Sequence, residues 1–130
     1  MLEKEIQNNI LEFLNHCAIE SWPNQSVGVY DPIKKIYRKS RNKYHRNGIM
    51  DILGYLPNGT FLGIEVKSKK GVASPEQKKQ ICIANDNKAV AFVSRSVWQT
   101  YQQLIPFYPE IKAFEFLAKQ YQQLENEKEH

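Results

Sequence analysis

An α/β fold, with a mixed sheet flanked by helices, is the architecture that the sequence predicts, and three observations carry it. Two apolar stretches, 49–56 and 60–68, flank Pro57-Asn58-Gly59 and read as a β-hairpin. A helix with strong capping residues follows, from Pro75 to about Asn85. A short apolar run, 89–94, then has the composition of a buried strand.

The elements run in the order α-β-β-β-α-β-α. Leu2, Ile6, Ile10, Phe13 and Leu14 give the first helix one apolar face. Residues 27–30 form a short strand, and the hairpin comes next. In the second helix Ser74 is a good N-cap, Pro75 suits the first helical position and Gln77 completes a capping-box pattern. Ile81, Cys82 and Ala84 are its packing residues. After strand 89–94, Ser96 caps a helix containing Val97, Trp98, Tyr101 and Leu104. Pro106 and Pro109 break the pattern. The segment from Ala113 is helical by composition, with a Glu/Lys-rich end expected to fray.

At 130 residues the chain is expected to be one domain, 1–130, large enough for its own core. No run approaches the length of a spanning helix, and the charged N-terminal segment is unlike a signal peptide, so no membrane association is expected. Cys17 and Cys82 lack any C-x-x-C spacing and read as reduced thiols, which suits a cytoplasmic location. Net charge is +4, and its distribution is uneven. Lys34, Lys35, Arg38, Lys39, Arg41, Lys43 and Arg46 follow one another with no acid among them, and Tyr37, Tyr44 and His45 are interleaved. Such a run is either a solvated loop or a phosphate-neutralising surface with aromatics for stacking. Its place just before Asp51 favours the second reading.

The hairpin carries the chemistry. Glu65 and Lys67 alternate with Ile64 and Val66, so the two charges share one face, and Asp51 lies on the strand that folds back beside them. A surface Glu–Lys pair of this kind is worth about 0–1 kcal/mol and means little by itself. Here the strand is unusually apolar, Gly48 and Gly63 permit close backbone approach, and a polar helix start follows. Two carboxylates and an ammonium at one end of a hairpin can hold a divalent metal and activate water. Hard cations want oxygen ligands, and Mg²⁺ typically uses one or two carboxylates. Gln77 is either a cap alone or a side chain whose amide points back at the carboxylates.

The segments Gly48-Ile-Met-Asp51-Ile-Leu-Gly54, Gly63-Ile-Glu65-Val-Lys67 and Gly71-Val-Ala-Ser74-Pro-Glu-Gln77 resemble the VRR-NUC family of the PD-(D/E)xK nuclease superfamily. Glu3-Lys-Glu5-Ile6-Gln7-Asn-Asn-Ile10 is similar to that family's first helix, and Ala89-Val-Ala-Phe-Val-Ser94 to the strand after its core helix. The likeness covers roughly residues 3–100 in order, leaving 105–130 as a C-terminal helical extension.

The resemblance implies a restriction-endonuclease-like mixed β-sheet flanked by helices, and a Mg²⁺- or Mn²⁺-dependent endonuclease acting on DNA. Asp51 and Glu65 would be the metal-binding carboxylates, with the Val66 backbone carbonyl as a further ligand. Lys67 would orient or deprotonate the attacking water, or stabilise transition-state charge. Gln77 would match a helix-borne glutamine near the site. Glu3 is the better match to the acidic residue of the first helix, and Glu5 the lesser one. Family members often carry a basic residue after the tryptophan, whereas this chain has Trp22-Pro23-Asn24, so no phosphate contact carries over to Pro23.

Small members of the family resemble Holliday junction resolvases in forming homodimers. Phe107, Tyr108, Phe114, Phe116, Leu117 and Tyr121 would either pack on the chain's own sheet or supply such an interface. A structure-selective nuclease on branched, junction or nicked DNA is therefore the leading expectation, in a bacterial or phage-infected cell. A non-catalytic nucleic-acid-binding module and a sequence-specific restriction-type nuclease are the alternatives.

Overall fold

The computed structural model describes residues 1–25, 29–38 and 43–129. Helix α1 (Glu3–His16) is followed by strands β1 (Glu20–Pro23), β2 (Val29–Asp31), β3 (Ile36–Arg38), β4 (Ile52–Tyr55) and β5 (Phe61–Val66). Then come α2 (Pro75–Asp86), β6 (Val90–Ser94), α3 (Val97–Leu104), a 3-10 turn (Pro109–Phe114) and α4 (Glu115–Glu129). The main sheet has the order β1-β4-β5-β6, antiparallel except for the parallel β5–β6 pair, and β2–β3 forms a separate two-stranded sheet. It is the mixed, helix-flanked α/β sheet that the sequence predicts.

One face of the sheet makes the core. Leu62, Ile64 and Val66 of β5 and Ile52 of β4 pack against Ile6, Ile10, Phe13 and Leu14 of α1, together with Val97, Tyr101 and Leu104 of α3. Phe13 meets Tyr101 and Tyr121 edge-on, with ring centroids 6.4 and 6.2 Å apart, so α1, α3 and α4 converge on one ring. Such aromatic contacts add about 0.5–1.5 kcal/mol each beyond burial. Ala118 and Tyr121 of α4 and Ile111 belong to the same core, and Tyr108, Phe114 and Leu117 pack against it. Most of the tail's apolar residues thus cover their own chain, leaving Phe107 and Phe116 exposed.

Several sequence expectations need correction. β1 was not expected: Glu20–Pro23 is short and charged, and ends in proline. As a sheet edge, β1 can accommodate Pro23, because a missing N–H there breaks no interior ladder. β3 lies inside the basic run. The strand expected over 27–30 is Val29–Asp31, residues 27 and 28 lying outside the described ones. Leu2 stands at the N-cap of α1 and is exposed rather than part of its buried face. The helix α4 runs to Glu129.

In α2 the correction concerns Cys82, which is exposed; Ile81 and Ala84 are half-buried, and no residue of the helix is fully buried. The helix is held on the second sheet face by polar fixings. Ser74 and Gln77 form the full capping box. At the other end, the Asn85 amide accepts from Ala91 N–H and donates to Ala91 C=O, both at 2.9 Å. Ala91 lies on the edge strand β6, so Asn85 also closes part of an otherwise open edge.

Candidate active site

Cross-strand register builds the site. Leu53 lies opposite Gly63 and Ile52 opposite Ile64, so the next pair outward sets Asp51 opposite Glu65. The Val66 amide donates to Asp51 Oδ2 at 2.9 Å, and the Asn24 amide donates to the Asp51 carbonyl at 2.7 Å. These two bonds fix Asp51 just before β4. The Lys67 amide donates to the Ser94 carbonyl at 3.1 Å, which carries the β5–β6 ladder one residue past Val66. Alternation then places Glu65 and Lys67 on the face opposite the main core.

Glu65 is only 1% exposed. Its Oε1 accepts from Gln77 Nε2 at 2.8 Å and lies 3.5 Å from Lys67 Nζ. Its Oε2 is buried with no hydrogen-bond donor. Burial pushes the Glu65 carboxyl up to about 8, the hydrogen bond and charge of Asp51 add to that, and Lys67 opposes it. Two facing acceptors attract one another only with a proton or a cation between them. The orphaned oxygen and the neighbouring carboxylate therefore make a donor set suited to a hard cation. Among the described residues no three His, Cys, Asp or Glu side chains cluster for a metal, so the set is two carboxylates.

Both readings of Gln77 hold together. Its Oε1 accepts from the Ser74 amide at 2.8 Å while its Nε2 serves Glu65. Gln77→Ala is expected to cost about 1–2 kcal/mol through the lost cap and the lost bond to a buried acceptor. It should also push the Glu65 carboxyl further up. Thermal melting checks the first effect and the pH dependence of metal affinity checks the second.

Glu3 is exposed at the start of α1 and faces the site across Gly71. A Cβ at Gly71 would stand 3.2 Å from Glu3 Oε1 and 3.4 Å from Lys67 Cδ. Glu5 has no such neighbour among these contacts. The basic run divides. Lys34 and Lys35 are exposed in the β2–β3 turn, held by Asp31 Oδ1 accepting from the Ile33 and Lys34 amides. Arg38 lies on β3, while Lys39 and Arg41 fall outside the described residues. Lys43, Tyr44, His45 and Arg46 are exposed, with the Lys43 ammonium 5.0 Å from the Tyr44 ring centre. They lead into Gly48, which abuts the first turn of α2 beside Gln77. That end of the run is the part the fold delivers to the site.

Sequence reasoning missed Arg95. Its Nη1 donates to the carbonyls of Ser68 and Gly71 at 2.5 and 2.6 Å, and to that of Lys69 at 3.4 Å. The turn from Lys67 to the cap of α2 is thereby tied to the end of β6. A single arginine after a strand carries no periodic signal, so only the fold reveals it. Arg95→Ala is expected to destabilise by about 1–3 kcal/mol, as charge-assisted bonds to carbonyls are lost. Arg95→Lys should recover part of that in a thermal melt.

No protein-family model and no curated protein matches the chain. A solved structure described as a VRR_NUC domain does, with 82% of this chain and 96% of that chain covered, a TM-score of 0.56 and 20% identity. This chain has the VRR_NUC fold. The likeness shows the shared fold, and the geometry above shows what this copy of the VRR_NUC fold brings to its hairpin.

Proposed function

We propose that this protein is a divalent-metal-dependent DNA endonuclease, selective for branched, junction or nicked DNA. The observation that carries the reading is the buried Glu65, one oxygen held by Gln77 and Lys67 and the other buried without a donor, with Asp51 beside the same carboxyl. A solvated structural pair would have no reason to sink a carboxylate to 1% exposure beside another carboxylate. The VRR_NUC fold of the structural neighbour supports the same reading.

Asp51 and Glu65 would hold Mg²⁺ or Mn²⁺, with the Val66 carbonyl as a further ligand. When bound, the ion lowers the pKa of water and offsets charge developing on the phosphate oxygens. Lys67, largely buried beside Glu65, orients the attacking water or stabilises the charge that forms in its attack. Gln77 holds the rotamer of Glu65, and Glu3 stands where it can polarise Lys67 across Gly71. Lys43 and Arg46 neutralise backbone phosphates on approach to the site. A homodimer would place two such centres on a two-strand substrate.

Labelled four-way junction, flap and linear duplex DNA should be cut with Mg²⁺ or Mn²⁺ and left intact with EDTA. Lys67→Ala is expected to slow cutting by about 10²–10⁴-fold. Cutting that persists in EDTA, or an unaffected Lys67→Ala rate, would remove the metal–lysine centre from the account.

A further inference from the structure

The sheet face that carries Asp51 and Glu65 also carries three large aromatics at its far end. Tyr55 lies opposite Phe61 across β4–β5, and Trp22 lies opposite Leu53 across β1–β4. Side chains opposite one another share a face, as do those two apart along a strand. Three rows result. Glu20, Tyr55 and Phe61 form the outer row, Trp22, Leu53 and Gly63 the middle one, and Asn24, Asp51 and Glu65 the row of the carboxylates. Trp22, Tyr55 and Phe61 are 43%, 47% and 44% exposed. Trp22 and Tyr55 meet edge-on at 6.0 Å, which fixes both rings.

Their exposure follows from the fold. Helix α2 packs on this face over β6 and part of β5, which leaves the β1–β4 side and Phe61 at the start of β5 open. The Met50 side chain lies on Gly63, whose Cβ position would fall 2.3 Å from Met50 Cε, and fills the middle row. An apolar floor of Met50 and Leu53 therefore joins the aromatics to the carboxylates. The distance is short, because two to four residues of strand span about 7–13 Å.

We infer that Trp22, Tyr55 and Phe61 are a base-stacking platform for an unpaired stretch of the substrate strand running into the Asp51–Glu65 centre. The inference deepens the nuclease reading and rests on it. It assigns the substrate class as DNA with a single-stranded arm. Stacking suits these residues because every base presents a π-face to an aromatic ring, whatever the sequence. It also suits the charge of the outer row: Glu20 lies beside Tyr55 and disfavours phosphate there, so the bases turn inward and the phosphates outward. The platform shares one continuous face with the carboxylate centre, which favours nucleic acid as its occupant over a second copy of this chain.

The test is binding in EDTA, so that nothing is cut, to a duplex bearing a single-stranded arm. The same duplex with an abasic arm is the comparison. The wild-type protein should bind the base-bearing arm about fivefold or more tighter than the abasic one. Trp22 fluorescence should be quenched by the base-bearing arm alone, Trp98 serving as the internal standard because it is stacked on Tyr101 away from this face. Trp22→Ala and Tyr55→Ala should erase the difference between the arms, and Trp22→Phe should keep most of it. Equal wild-type affinity for the two arms would overturn the platform. So would variants that weaken both arms alike, or a fall from dimer to monomer mass in Trp22→Ala, which would give this face to a second copy. Cutting in Mg²⁺ is scored separately. Absent cutting with the arm effect intact would sink the nuclease reading and leave the platform standing.

Discussion

Glu65→Gln is expected to abolish cutting while making the metal-free protein more resistant to heat at alkaline pH. The two effects share one cause. The carboxyl of Glu65 titrates near 8 in the folded chain, against 4.5 for an ordinary glutamate, chiefly through burial. Its folded pKa lies above its unfolded one, so the folded state binds the extra proton between those values. Stability of the metal-free protein therefore falls as pH rises from about 4.5 to about 8, and levels off beyond. Glutamine has no proton to lose there, and its amide can donate toward Asp51, where the glutamate oxygen had no donor. Melts in EDTA should show the gap between variant and wild type opening with pH across that window and closing below it. Added Mn²⁺ should stabilise the wild type more than the variant, because only the wild type offers both carboxylates. The rate loss should exceed the roughly 10–100-fold typical of outer-shell partners, since a ligand itself is removed. A wild-type melting temperature that is flat between pH 5 and 8 in EDTA would contradict the buried-acid assignment.

Gly48→Ala is expected to be the most damaging single substitution for stability among those discussed. Gly48 has φ +79°, a left-handed conformation that disfavours any side chain by about 1–2 kcal/mol. An added Cβ would stand 2.5 Å from the Glu76 carbonyl carbon, 2.6 Å from its oxygen and 2.7 Å from the Gln77 nitrogen. All three are backbone atoms of a helix fixed by its cap, so none can swing aside. Overpacking of this kind costs a further 1–3 kcal/mol or so. Together these effects should lower the melting temperature by roughly 10 °C. The displaced first turn carries Gln77, so cutting should fall as well. Gly59→Ala is the informative control. It also has positive φ but meets nothing within 4 Å, and should show only the conformational part of the loss.

The parts of the fold that were legible in the sequence are those fixed by local rules. Pro57-Asn58-Gly59 set the hairpin, and through it the opposition of Asp51 and Glu65. Ser74 and Ser96 both act as the N-caps their positions suggest, each accepting from the amide three residues on. What stayed hidden depended on distant partners. β1 exists because β4 offers it a ladder, although Glu20–Pro23 has no apolar alternation of its own. The docking of α2 leaves little trace in the sequence because its apolar residues are at most half-buried and Gln77 and Asn85 add polar attachments to distant strands. Arg95 and the aromatic rows were illegible for the same reason: each is assembled by register between strands far apart in the chain.

Gln77 narrows what this position can become. Its carbonyl end closes the helix cap and its amino end holds Glu65. Glutamate would keep the acceptor but set a third carboxylate against two others. Asparagine has both ends but is one methylene shorter. Leucine or methionine would fill the volume and serve neither partner. Only glutamate separates the two roles, keeping the helix anchorage and giving up the hold on Glu65, whereas leucine or methionine loses both in one step. Helix stability and carboxylate alignment therefore share one side chain, and an apolar change there is felt by both.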